Sequence, residues 1–174
     1  MCSLFRNKYR NESFRLNGHD YSSVGKYFVT ICTHNMISYF GNILCGTVIL
    51  SESGQIANRF WYELPKHFSF ISLDEFVIMP NHIHGIVIIE STAVLGTLHA
   101  TSVLRSMQSE FLSTISPKPG SLATVIRSYK SAVSKNLHLI DPDFSWQPRY
   151  YDHIIHSDRE LDRIRNYIIN NPIR

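Results

Sequence analysis

Phe76-Val77-Ile78-Met79-Pro80-Asn81-His82-Ile83-His84-Gly85-Ile86-Val87-Ile88-Ile89 is the stretch around which the rest of the chain is organised. Two apolar, β-branched runs flank a Pro-Asn break, and the second run opens with two histidines one residue apart. In a strand, residues two apart face the same side, so His82 and His84 project together while Ile83 packs on the other face. Apolar residues on both sides predict a central strand covered on both faces, where a polar pair is costly unless it has partners. A metal ion is one such partner. Read alone, the pair better suits two hydrogen-bonded strand histidines than a metal site.

Outward from this stretch, Lys26–Thr33 reads as a first strand, rich in β-branched and aromatic residues. Ile43-Leu44 and Thr47–Leu50, separated by Cys45-Gly46, form a short hairpin. A helix follows with apolar Ile56, Phe60, Trp61 and Leu64, with Ser51 or Ser53 as its cap and Pro65 near its end. Leu73–Met79 and His82–Ile89 are two further strands, whose spacing makes antiparallel pairing the simpler connection. After Pro119-Gly120, Ser121 caps a helix to about Leu139 with a buried stripe of Leu122, Val125, Ile126, Tyr129, Val133 and Leu137. Arg127, Lys130 and Lys135 fall on its opposite, exposed side. A last strand, about Tyr150–His156, leads to a final helix opened by a Ser157/Glu160 capping box and closed at Asn171-Pro172. Residues 1–25 read as an N-terminal arm. Residues 91–120 read as a variable insertion in which Val103–Leu112 is able to form a short helix. The order predicts an α+β sandwich: one mainly antiparallel sheet of four to five strands with helices packed on it, in a single domain spanning 1–174.

With 174 residues the chain is long enough to bury a core without staples, and its 44% hydrophobic and 18% charged residues place it among ordinary globular proteins. No apolar run is long enough to cross a bilayer, and no signal-peptide core follows the basic N-terminus, so a cytoplasmic protein with no membrane partner is expected. Cys2, Cys32 and Cys45 form no CxxC pair and are odd in number, which argues against a disulfide framework. A formal net charge of +3 permits nucleic-acid binding without requiring it.

The final helix adds a second chemical feature. Leu161, Ile164 and Ile168 define its core stripe, and Tyr167 and Asn171 lie one above the other, roughly 40° apart, at the border of that stripe. If this helix packs near His82 and His84, a phenol, an amide and two imidazoles converge. A phenol is a poor nucleophile at neutral pH, because its proton is held with a pKa near 10. A divalent cation, Mg²⁺ or Mn²⁺, held by His82, His84 and Asn171 would polarise a phosphodiester for attack by Tyr167. Tyr129 is the rival nucleophile, but its place in the middle of an apolar stripe favours a core role. For single-stranded DNA, which needs basic and aromatic contacts, Arg127, Lys130, Lys135, Arg149, Tyr150 and Tyr151 are the candidates.

Pro80-Asn81-His82-Ile83-His84 resembles the histidine-hydrophobe-histidine motif of the HUH single-strand endonucleases. Trp146-Gln147-Pro148-Arg149-Tyr150-Tyr151-Asp152-His153, with Tyr167-Ile168-Ile169-Asn170-Asn171-Pro172, resembles the C-terminal signature of the single-tyrosine transposases, particularly the REP-associated ones. The resemblance runs from about Tyr27 to Asn171. It implies a ferredoxin-like fold and metal-dependent cleavage and joining of single-stranded DNA near hairpins or palindromic ends. It also implies Tyr167 as nucleophile, His82 and His84 as metal ligands, and Asn171 in the place of an amide-type third ligand. Members are monomers or homodimers, and a DNA-bound protein of this kind is nucleoid-associated. Two other readings remain: a non-catalytic DNA- or RNA-binding module on the same sheet, and a metal-dependent phosphoesterase that uses water.

Overall fold

Residues 19–90 and 118–173 are described by the structure, a computed structural model. Most of the predicted arm at 1–25, and most of the predicted insertion at 91–120 including Val103–Leu112, lie outside the described residues. In chain order the elements are β1 (Gly25–Cys32), β2 (Gly41–Leu44), β3 (Thr47–Leu50), α1 (Glu52–His67), β4 (Ile71–Ile78), β5 (His82–Ile89), α2 (Leu122–Leu137), β6 (Tyr151–Ile155) and α3 (Asp158–Ile169). Short 3-10 turns at His34–Met36 and Asn171–Ile173 complete them.

Four strands make one antiparallel sheet in the order β4-β5-β1-β6, while among the described residues β2 and β3 pair only with each other. β1-α1-β4-β5-α2-β6 is thus the split βαββαβ arrangement of ferredoxin-like folds, with α3 added. Strand alternation divides the side chains between two layers. Tyr27, Val29 and Ile31 of β1 and Ile83, Val87 and Ile89 of β5 pack with Trp61 of α1 and with Val125, Ile126 and Tyr129 of α2. On the other face Phe28, Ile86, Ile88 and Ile155 meet Leu161, Ile164 and Ile168 of α3. β5 is therefore an inner strand covered on both faces, as its sequence implies. At Gly85 the Trp61 indole lies against bare backbone: a Cβ there would sit 2.4 Å from Trp61 Cζ2.

Local signals set the element ends. Ser51 caps α1 by accepting from the Gly54 amide, and Ser121 caps α2 by accepting from that of Thr124. The hairpin turns on Cys45 and Gly46, both at positive φ (50° and 75°), the conformation of a two-residue turn that matches strand twist. The Tyr129 hydroxyl donates to the Ala57 carbonyl and ties α2 to α1, a core role for this tyrosine. Two details differ from the sequence reading. Glu160 reaches past Ser157 to accept from the His156 amide, so the capping box is offset by one residue. α3 ends at Ile169 with Asn170 as cap, and Asn171 opens a 3-10 turn, because Pro172 has no N–H to continue the helical ladder. Among the described residues no helix is long and apolar enough to cross a membrane.

Candidate active site

The register of β1 on β5 places Thr30 opposite His84 and Cys32 opposite His82. All four side chains share the face covered by α3. The two imidazoles lie with ring centroids 4.5 Å apart and planes 72° apart. Each Nδ1 has a partner: Asn81 Oδ1 at 2.7 Å from His82, and Thr30 Oγ1 at 2.9 Å from His84. Phe28 stacks on His84 at 5.3 Å. The packing of Leu161, Ile164 and Ile168 brings Tyr167 down on the same spot, its hydroxyl 3.3 Å from His84 Nε2. A phenol from the last helix and two imidazoles from the central strand thus converge, with residues 83 positions apart in sequence in direct contact.

Burial lowers the pKa of both histidines. His84 is pushed down to about 3 by desolvation and then by the neighbouring His82, and His82 is lowered by desolvation. Neutral imidazoles carry the lone pair that a metal needs, and partners at Nδ1 fix ring orientation as outer-shell groups do in metal sites. Two imidazoles side by side offer a divalent cation two of its ligands, and they are softer donors than the oxygens Mg²⁺ prefers. Among the described residues no group of three or more His, Cys, Asp and Glu that could hold a metal ion occurs. Asn171, in the 3-10 turn after α3, makes no hydrogen bond to either imidazole among the described residues.

The predicted DNA-contact residues fall in two places. Tyr151, at the start of β6 and opposite Thr30, meets Phe28 edge-on at 6.4 Å and is exposed beside the site. Arg149, exposed at a positive φ of 68°, lies just before it. Tyr150 is half-buried against the opposite core. Arg127 and Lys135 project from α2, in the layer beyond the other face of the sheet. Lys130, expected to be exposed, is half-buried. Its Nζ donates to the carbonyls of Gln147 (2.7 Å) and Arg149 (2.9 Å), and it lies 5.8 Å from the Trp146 ring. Lys130 follows the buried Ile126 by four residues, about 40° around the helix, so it belongs to the border of the stripe. Burial lowers its pKa to about 8.

Sequence reasoning missed Thr30, Asn81 and Phe28. Asn81 was within reach, because it adjoins His82. Thr30 and Phe28 come to the site through a strand pairing that no local pattern encodes. It also missed Asp74, which takes Arg165 of α3 in a two-pronged ion pair (2.9 and 2.6 Å) and fixes that helix to β4.

No family model matches the chain. A protein of Haemophilus influenzae, described as uncharacterized, is 36% identical over 173 residues, covering 95% of this chain and 89% of the relative. Among solved structures, that of a REP-associated tyrosine transposase bound to a REP hairpin superposes with a TM-score of 0.57 at 17% identity, over 96% of this chain and 73% of the other. A transposase candidate from Deinococcus radiodurans gives a TM-score of 0.44 at 13% identity, over 90% of this chain and 97% of the other. The first of these structural likenesses shows a shared fold. The sequence likeness shows more: the chain belongs to the family of the Haemophilus influenzae protein.

Proposed function

We propose that the chain is an HUH-type single-tyrosine transposase, a nuclease and ligase for single-stranded DNA near hairpins or palindromic ends. The observation that carries the reading is the Tyr167 hydroxyl 3.3 Å from His84 Nε2, beside His82, on one sheet face. The fold shared with a tyrosine transposase bound to a REP hairpin supports it. So do the quoted histidine and tyrosine motifs.

In this reading Tyr167 Oη attacks the phosphorus of a phosphodiester. The new O–P bond makes a 5′-phosphotyrosine, the P–O3′ bond breaks, the phenolic proton is lost and the departing 3′ oxygen gains one. Reversal by another 3′-hydroxyl rejoins the strand. His82 and His84, with Asn171 as amide ligand, hold Mg²⁺ or Mn²⁺. When bound, the cation supplies electrophilic assistance to the phosphodiester. Tyr151, against Phe28 beside the site, supplies a stacking surface for the strand, and Arg149, two residues before it, supplies charge.

The experiment incubates wild type and Tyr167→Phe with labelled hairpin-bearing single-stranded DNA and Mn²⁺ and resolves the products on a denaturing gel. A protein–DNA adduct in wild type that is lost in Tyr167→Phe is the expected result. Binding without turnover by wild type points to a recognition module instead. Metal-dependent hydrolysis that survives in Tyr167→Phe points to a phosphoesterase that uses water.

A further inference from the structure

Asn81 is held in place more firmly than a turn residue needs to be. Its carbonyl accepts from the amide of the buried Thr33 (2.9 Å) and shares the one proton of the Thr33 hydroxyl (2.9 Å) with the Ile37 carbonyl (2.8 Å), and its Nδ2 donates to the Met36 carbonyl at 3.2 Å. That carbonyl is delivered by a turn in which Asn35 and Met36 both take left-handed backbone (φ 51° and 56°), a conformation that persists only where its surroundings impose it. The remaining end of the amide, Oδ1, faces His82 Nδ1 at 2.7 Å.

The two ends of a primary amide are not interchangeable. The NH₂ end only donates and the oxygen only accepts, and the Met36 carbonyl is itself only an acceptor. The NH₂ end must therefore face Met36, which turns the oxygen toward His82. An acceptor at 2.7 Å requires a proton on His82 Nδ1, and in a neutral imidazole that leaves Nε2 with the lone pair. Thr30 dictates nothing of the kind for His84. Its hydroxyl and that of Tyr167 can each donate or accept, so either tautomer of His84 satisfies both.

We infer that Asn81 is a positioning residue that selects the Nδ1–H tautomer of His82 through an amide clamped on the Met36 carbonyl, and so keeps His82 Nε2 bare for a divalent cation. The inference rests on the metal-assisted reading above and assigns the asparagine of the Pro-Asn-His-Ile-His run a task of its own. Without the acceptor, His82 divides between two tautomers, and the Nε2–H form offers no lone pair at that atom.

The test combines ring-nitrogen NMR of ¹⁵N-histidine-labelled, metal-free protein at pH 8 with calorimetric titration of Mn²⁺, on wild type, Asn81→Leu and Asn81→Asp. Wild type is expected to show His82 as Nδ1–H. Asn81→Leu, with no acceptor, is expected to show mixed tautomers and an affinity for Mn²⁺ about 10–100-fold weaker. Asn81→Asp keeps the acceptor and loses the donation to Met36; it is expected to retain Nδ1–H and at least the wild-type affinity. The inference is overturned if Asn81→Leu keeps both the tautomer and the affinity. It is overturned equally if Asn81→Asp loses them, which would assign the effect to the turn, and this variant decides the matter even where Asn81→Leu does not fold. A wild type that binds no Mn²⁺ sinks the metal-assisted reading as well, whereas binding that is indifferent to position 81 sinks this role alone.

Discussion

His84 is a histidine that burial keeps neutral. Its pKa of about 3 means that the folded chain holds this imidazole unprotonated well below the ordinary value of 6.5, and desolvation lowers His82 as well. Metal affinity should follow that. Calorimetric titration with Mn²⁺ is expected to lose less affinity between pH 8 and pH 6 than an exposed imidazole pair would lose to protons. Stability carries the opposite cost. An unfolded chain protonates these histidines from about pH 6.5 downward while the folded chain does not, so the unfolded state binds more protons and stability falls as pH drops. Each such proton adds a slope of at most about 1.4 kcal/mol per pH unit. Urea unfolding at pH 7.5, 6 and 5 should show the loss, and His84→Leu should remove its share of the slope. None of this was legible from His82-Ile83-His84 alone: spacing gave the shared face, but depth came from α3.

At the scale of elements, the position of Tyr167 is the position of α3. Three apolar side chains hold the helix to the sheet, and Ile168→Ala is expected to cost about 2–5 kcal/mol by leaving a cavity. The Asp74–Arg165 pair sets its height along β4, where the strand register shifts between Leu73 and Phe76. Arg165 is more than a third exposed, so Arg165→Met should change urea unfolding little. Its larger effect is expected on the rate of adduct formation, through misplacement of Tyr167, with DNA affinity little changed. The hydrogen bonds from Arg165 hold the Asp74 carboxyl below its usual pKa; the pair therefore contributes above about pH 4 and is lost as pH falls through the lowered value. β5 has a similarly narrow tolerance. Gly85→Ala drives a methyl into the Trp61 indole, and about 1–3 kcal/mol of destabilisation, with a shift in tryptophan fluorescence, is expected.

For the molecule as a whole, the sheet separates two layers with different tasks. α1 and α2 form a core layer whose outer side carries Arg127 and Lys135, while the other face carries the histidines and Tyr167, with Tyr151 nearby and Arg149 two residues before it in the chain. On this geometry Arg149→Glu should weaken binding of hairpin DNA and reduce the slope of log affinity against log salt by about 1. Combined Arg127→Glu and Lys135→Glu should leave adduct formation at the site unchanged. Fluorescence anisotropy over a salt series, beside the gel assay, checks both.

The sequence by itself determined the elements, because their signals are local: Ser121 and Ser157 as caps, Pro172 as a stop, alternation along His82–Ile89 and the helical stripe from Leu122 to Leu137. It also determined that His82 and His84 share a face and that Tyr167 borders a core stripe, since both follow from the periods of strand and helix. Only the tertiary structure decided that these faces are the same one. Which strand lies beside β5, which residue stands opposite His84, and whether Lys130 reaches solvent or two backbone carbonyls all depend on contacts between residues distant in the chain. Such contacts are selected by the packing of whole layers, and no local window of sequence contains that choice.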